Sequence, residues 1–133
     1  MRRYLDGEHA DPTLVLCSSA TRARRTLELV VPALRGEPDI RIEPELYTFD
    51  VTVLLARLRA IGAAAEPVML VGHNPAIHEL ALDIVGSGEG LAAMASKYPT
   101  GALAEIEVAG DTWRTLEERT GRLLRFVRPH DLA

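Results

Sequence analysis

The sequence predicts an α/β fold in which a mainly parallel sheet is flanked by helices. Two short apolar runs, Thr13–Cys17 and Val68–Val71, are each followed by turn residues and then by apolar residues at helical spacing. A short apolar run bounded by turn residues is typical of a strand buried on both faces, and alternation of such strands with helices is typical of parallel sheets. The length of 133 residues predicts one domain over residues 1–133.

The first half of the chain is predicted to contain a strand, a helix, an edge strand and a second helix. Ser18 or Ser19 is expected to cap the first helix, which Pro32 kinks or ends. Its buried positions are expected to be Ala23, Leu27, Val30, Val31 and Leu34. Ile40–Ile42 alternates apolar and charged residues, as an edge strand does. Asp50 is expected to cap the next helix, whose apolar face comprises Val51, Leu54, Leu55, Leu58 and Ile61.

The second half begins with the strand Val68–Val71. Asn74 is a suitable N-cap and Pro75 suits the first position of the helix that follows. Gly86–Gly90 is interpreted as a loop, and Leu91–Ser96 as a short helix. The remaining expectation is a hairpin at the sheet edge, formed by Thr100–Val108 and Thr112–Leu116 around Gly110–Asp111.

Arg22 and His73 follow the two predicted buried strands. Arg22 falls in the first turn of a helix, where a guanidinium can bind a phosphate through two hydrogen bonds. His73 falls between a strand and a helix N-terminus, a position that favours anions. A lone loop histidine often only caps or packs, but Arg22 and His73 at twin junctions together indicate a site for phosphoryl groups. Arg24 and Arg25 are expected to be solvated.

Three other interpretations were weighed. Cys17 and Arg22 have one residue too few between them for the loop of cysteine-dependent phosphatases, so Cys17 is interpreted as a buried strand-end residue. His73 and His78 lie five residues apart, which places them on different helix faces and argues against a zinc site. Gly86–Gly90 is not a P-loop, because no Lys-Ser or Lys-Thr follows it.

Composition excludes several classes of protein. Hydrophobic residues make up 47% and charged residues 26%, and the net charge of −4 argues against general binding to nucleic acid or an anionic membrane. The single Cys17 excludes an internal disulfide framework. No apolar run reaches the length of a membrane span and no signal peptide is recognised, so we expect a cytoplasmic protein.

Four motifs resemble those of one known family. They are Cys17–Thr26, Pro44–Leu46, Leu70–Pro75 and Lys97–Leu103. Together, in this order and spacing, they resemble the histidine phosphatase superfamily, and most of all its small bacterial branch, the SixA-like phosphohistidine phosphatases. The resemblance implies a three-layer phosphoglycerate mutase-like fold, with Arg22 as the second phosphate-binding arginine and His73 as the second active-site histidine. Ser18 and Asn74 are further expected to contact the substrate.

The resemblance also implies a mechanism and its partners. In this family a histidine attacks phosphorus, becomes phosphohistidine and is hydrolysed by water, without a metal or another cofactor. The expected partners are phosphorylated proteins or small phosphorylated compounds, and inorganic phosphate. Glu45 and Asp50 lie in a loop that is expected to roof the site, but neither is a strong candidate for a general acid. Glu45 is expected to be solvated, and Asp50 to cap a helix.

The sequence departs from the family pattern at the nucleophile, which lies in an Arg-His-Gly or Arg-His-Ala motif. This chain has no Arg-His dipeptide, and its four histidines are His9, His73, His78 and His130. We expect the first strand, its motif and most of the first helix to be missing, roughly 30–40 residues. Hence we expect no turnover by the chain as written, and poor solubility or self-association through the gap.

Three explanations for the departure stay open. They are a misassigned start or truncation, a degraded gene, and a non-catalytic module that binds a phosphorylated ligand.

Overall fold

The computed structural model describes residues 12–34, 36–62, 67–73, 75–88, 90–97, 103–108 and 112–127. The strands are β1 (Leu14–Ser18), β2 (Asp39–Glu43), β3 (Val68–Val71), β4 (Val85–Gly88), β5 (Leu103–Glu107) and β6 (Gly121–Val127). The helices are α1 (Thr21–Val30), α2 (Val51–Arg59), α3 (Ala76–Ile84) and α4 (Leu91–Ser96). Short 3₁₀ turns lie at Val31–Ala33, Pro44–Leu46 and Trp113–Thr115.

The first sheet has the order β2-β1-β3, and both of its ladders are parallel. β1 is its central strand and is buried along its whole length. Leu14 and Leu16 pack with residues of α2 and α3, whereas Val15 and Cys17 pack with α1. Because successive side chains of a strand face opposite sides, helices cover both faces of this sheet. The predicted α/β class, with a parallel sheet between helical layers, is confirmed.

The second sheet has the order β4-β6-β5, with β4 parallel and β5 antiparallel to β6. The interpretation of Gly86–Gly90 as a loop is therefore wrong for its first residues. A Cβ on Gly86 would overlap the carbonyl oxygen of Arg119, and one on Gly88 would overlap that of Leu123. The glycines let this segment approach the neighbouring backbone closely enough to pair with β6.

The predicted hairpin is also wrong. β5 pairs with β6, and the segment around Trp113 forms a 3₁₀ turn instead of a strand. Leu116 is 2% exposed and joins the main core, where Trp113 packs against it. Burial of these apolar side chains therefore replaces the expected strand pairing. The expected turn at Gly110–Asp111 lies outside the described residues.

Helix starts differ from expectation in detail. α1 has Ala20 at its N-cap and no side-chain cap, so neither Ser18 nor Ser19 caps it. Val31 is 37% exposed, because α1 ends at Val30 and a 3₁₀ turn with Pro32 follows. Pro75 occupies the N-cap position of α3 rather than its first helical position.

β3 is half-buried over most of its length rather than buried on both faces. Within the described residues it pairs only with β1, and no ladder joins the two sheets. An edge strand has one side without backbone partners, which explains its exposure. Self-association through this edge stays a prediction. Across the described part of the chain, no helix is long and apolar enough to cross a membrane.

Candidate phosphoryl-binding site

The two strand–helix junctions lie side by side at one edge of the first sheet. β1 and β3 are parallel neighbours, and Cys17 is paired with Val71 at the ends of their shared register. β1 and β3 therefore end at the same edge of the sheet, and the chain continues from them into α1 and α3. In parallel sheets this carboxyl edge is where ligands bind.

The first junction presents an open helix N-terminus. No side chain caps α1 and no acidic residue lies in its first turn. The earliest hydrogen bond of the helix runs from the Arg24 N–H to the Ala20 carbonyl, so the amides before Arg24 lack helical acceptors. The Arg22 side chain is exposed and forms no ion pair with another described residue. Amides, helix dipole and guanidinium together favour an anion here.

Ser18 shapes the turn between β1 and α1. Its side chain is fully buried, and its hydroxyl oxygen accepts a hydrogen bond from the Ala20 N–H at 3.1 Å. One turn into the helix, the Thr26 hydroxyl donates to the Arg22 carbonyl at 3.1 Å. These bonds order the backbone around Arg22. Contact of Ser18 with a substrate stays a prediction, and Asn74 lies outside the described residues.

The second junction is covered by two aromatic rings. The His73 ring meets Tyr47 edge to face at a centroid distance of 5.3 Å and an interplanar angle of 86°. Phe49 meets the same ring at 5.5 Å and 77°. Both ring nitrogens of His73 are buried and have no hydrogen-bond partner among the described residues. A buried polar group without a partner costs about 1–3 kcal/mol, so a ligand that supplies a hydrogen bond would be stabilised here.

The loop that carries Tyr47 and Phe49 is anchored at both ends. Before it, the Arg57 guanidinium donates two hydrogen bonds to Glu43, at 2.6 and 3.0 Å, and this pairing lowers the pKa of Glu43. After it, the Asp50 carboxylate accepts from the Thr52 hydroxyl and N–H, which lowers the pKa of Asp50. The prediction that Asp50 caps a helix is confirmed.

Other side chains near the junctions have structural roles. Cys17 is fully buried, and burial raises the pKa of its thiol to about 11, against a weaker opposing effect of Arg24. Its thiol is therefore protonated near neutral pH and is a poor nucleophile.

The His78 Nε2 lies 2.7 Å from the Met94 carbonyl oxygen and links α3 to α4. Among the described residues, no group of three or more His, Cys, Asp or Glu side chains is arranged to hold a metal ion.

Sequence reasoning located Arg22 and His73 but missed Tyr47 and Phe49. The available signal was a pair of aromatic residues at alternate positions in the loop between the edge strand and the next helix. Glu45 from the same loop is exposed, as expected.

The chain is similar in sequence to uncharacterized mycobacterial proteins. No model of a known protein family matches the chain. An uncharacterized protein of Mycobacterium leprae is 34% identical over 119 residues, which cover 86% of this chain and 70% of that protein. An uncharacterized protein of Mycobacterium tuberculosis is 32% identical over 120 residues, which cover 86% of this chain and 72% of that protein.

Three solved structures share the fold. A protein of Nakamurella multipartitia assigned as phosphohistidine phosphatase SixA superposes with a TM-score of 0.77 and 25% identity, over 96% of this chain and 76% of that chain. A protein of Agrobacterium tumefaciens with the same assignment superposes with a TM-score of 0.73 and 29% identity, over 96% of this chain and 74% of that chain. The protein histidine phosphatase SixA complexed with tungstate superposes with a TM-score of 0.75 and 23% identity, over 98% of this chain and 77% of that chain. At this identity the likeness shows the fold alone.

The fold is that of an α/β protein of the phosphoglycerate mutase-like class. The chain has the SixA-like fold of the histidine phosphatase superfamily, and it belongs to the same family as the uncharacterized mycobacterial proteins.

Proposed function

We propose that this protein binds phosphoryl groups through Arg22, His73 and the first-turn amides of α1, as part of a SixA-like phosphatase activity on phosphohistidine proteins or small phosphomonoesters. The observation that carries the proposal is the pairing of two helix N-termini without side-chain caps at adjacent parallel strand ends. One holds an exposed arginine, and the other a histidine whose buried nitrogens have no hydrogen-bond partner among the described residues.

Each group has a distinct task in this proposal. Arg22 binds two phosphoryl oxygens at once, and the amides of α1 bind the phosphoryl group from the helix end. His73 donates one ring N–H to a phosphoryl oxygen in surroundings from which water is excluded, where a hydrogen bond to an anion is strong. Donors placed in advance around phosphorus stabilise the charge that spreads over its oxygens during transfer. Ser18 and Asn74 are proposed as additional substrate contacts.

A solved structure of the same fold suggests which anions to use as probes. The SixA structure complexed with tungstate holds an oxyanion that resembles phosphate in shape and charge. Tungstate and inorganic phosphate are therefore suitable probes for this chain, since neither requires turnover.

The binding test uses the full chain and isothermal titration calorimetry with inorganic phosphate and tungstate. Arg22→Ala should weaken binding by about tenfold to a hundredfold, the range for a lost hydrogen bond to a charged group. Arg25→Ala is the matched control, because Arg25 is an exposed arginine of the same helix. Equal losses in both variants, or no binding by the wild type, would contradict the proposal.

A second candidate function is binding without catalysis. It is favoured by one sequence observation, the lack of an Arg-His dipeptide to supply the family's nucleophile. Turnover of a phosphoramidate and an aryl phosphate separates the two candidates. Binding without turnover supports the module, whereas hydrolysis that persists in His9→Ala supports an enzyme whose nucleophile lies elsewhere. His9 and His130 lie outside the described residues.

A further inference from the structure

Tyr47 and Phe49 are exposed aromatic side chains whose ring contacts in the described structure are with His73. Their exposed fractions are 57% and 68%, although large apolar side chains are normally buried. Both nevertheless meet the His73 ring within 5.5 Å, centroid to centroid. Two large rings beside the same candidate site residue form an apolar surface next to an anion site. Exposed apolar surface in such a place indicates ligand contact.

The loop holds these rings out rather than letting them collapse into the core. Leu46, the residue before Tyr47, is 2% exposed and anchors the loop in the main core. Thr48 lies between Tyr47 and Phe49 in the sequence, and its hydroxyl oxygen accepts a hydrogen bond from the Asp50 N–H at 3.0 Å. The Glu43–Arg57 pair and the Asp50 cap fix the flanking segments. The backbone that carries the two rings is thereby fixed, so it loses little conformational freedom when a ligand binds.

We propose that Tyr47 and Phe49 determine substrate specificity by selecting phosphoryl compounds whose leaving group is a planar aromatic ring, such as the imidazole of phosphohistidine. The inference rests on the proposed function, because it assumes that the phosphoryl group binds at Arg22 and His73. A planar ring attached to that phosphorus meets the rings of Tyr47 and Phe49 by stacking or edge contact. A saturated leaving group of the same size lacks the quadrupole on which these contacts depend.

Access to His73 fits this role. Its ring nitrogens are buried and its ring contacts those of Tyr47 and Phe49, so side chains around His73 must change rotamer before a phosphoryl oxygen reaches these nitrogens. Exposed side chains change rotamer within picoseconds to nanoseconds, so this movement is no kinetic obstacle. The displaced rings then contact the leaving group in place of part of their contact with His73.

The test compares phenylphosphonate with cyclohexylphosphonate, which resist hydrolysis, have similar size and differ in aromaticity. Dissociation constants are measured by calorimetry at a pH where both carry the same charge, with inorganic phosphate as the reference. We expect the wild type to prefer the phenyl compound by about threefold to tenfold, the range for a specific aromatic contact.

Variants of the two aromatic residues test whether they cause the preference for phenylphosphonate. Tyr47→Leu and Phe49→Leu should each reduce the ratio of the two dissociation constants, and the double variant should abolish the preference. Tyr47→Phe keeps the ring and should keep the preference. Leu29→Ala is the matched control, because Leu29 is a large apolar residue with the same 68% exposure as Phe49 but lies in α1.

The outcomes separate this inference from the proposed function. Binding of inorganic phosphate without a phenyl preference, or an equal loss of preference in Leu29→Ala, overturns the specificity role alone. Failure of the wild type to bind inorganic phosphate overturns the proposed function and this inference with it. A phenyl preference that disappears only in the leucine variants of Tyr47 and Phe49 supports the proposal.

Discussion

The two strand–helix junctions have the same local architecture and opposite surroundings. Each follows a parallel strand of one sheet, and neither of the helices that follow has a side-chain cap. At the first, Arg22 is exposed and the first helical turn lacks an acid. At the second, His73 lies against two aromatic rings, and Glu79 occupies the first turn of α3.

The difference shows how one sheet edge can offer two kinds of anion contact. An exposed guanidinium attracts an anion through water and is screened by salt. A histidine with buried nitrogens forms its hydrogen bond where the dielectric constant is low and each contact counts for more. The loop after β2 produces this asymmetry, because its aromatic residues cover only the second junction.

The largest expected effect comes from β1, which leads into the first junction and supports the second. Leu16 is fully buried in the main core. Leu16→Ala should lower the free energy of unfolding by about 2–5 kcal/mol, the range for such a truncation in a core. Urea denaturation followed by circular dichroism measures it, with exposed Leu29→Ala expected to stay within about 0.5 kcal/mol. A similarly small change for Leu16→Ala would mean that the junctions do not depend on this strand.

A charge placed at the open junction tests the electrostatic half of the comparison. Thr21 is exposed at the first position of α1. Thr21→Asp should reduce the affinity for phosphate by about threefold to tenfold through repulsion, while the same charge slightly stabilises the helix N-terminus. Titration calorimetry and thermal melting measure the two effects, and Thr21→Asn is the uncharged control. Unchanged phosphate affinity would place the anion away from this helix end.

The covered junction should be sensitive to acid. Arg57 holds the pKa of Glu43 below its ordinary value of 4.5. A lowered carboxyl pKa contributes stability that is complete above that ordinary value and is lost as the pH falls through the lowered one. Glu43→Gln should therefore lower the free energy of unfolding by about 1–2 kcal/mol near neutral pH. Its stability should also fall less steeply as the pH is lowered.

Thermal melts across the acid range check this prediction. Asp50 also has a lowered pKa, so it contributes the same acid dependence to both proteins and serves as the internal reference. An acid limb of the same steepness in wild type and Glu43→Gln would contradict the assignment to Glu43.

The smallest expected effect on binding is that of Cys17, which ends β1 beside the first junction but is fully buried. Cys17→Ala should leave the affinity for phosphate within about twofold, because a protonated buried thiol makes no contact with an anion. Since its pKa is raised to about 11, the folded protein should also react slowly with thiol reagents. Loss of phosphate binding in Cys17→Ala would instead support the interpretation of Cys17 and Arg22 as the loop of a cysteine-dependent phosphatase.

Local sequence patterns predict the first sheet, the helices around it and the positions of Arg22 and His73 at the ends of its strands. Apolar runs between turn residues predict buried strands, and a carboxylate just before an apolar helical pattern predicts a cap, as Asp50 confirms. These signals are local, because they depend on hydrogen bonds and side-chain periodicity within a few residues. The resemblance to the histidine phosphatases added the expected role of each site residue.

Which distant segments meet depends on the packing of the folded chain and cannot be predicted from local patterns. The pairing of β4 with β6 depends on glycines approaching residues more than thirty positions away. The core position of Leu116 replaced an expected strand, and the half-burial of β3 reflects the neighbours available to it. Tyr47 and Phe49 reach His73 because β2, β1 and β3 lie side by side, and no pattern within the loop encodes that contact. Such contacts depend on the packing of the whole chain, which local periodicity does not describe.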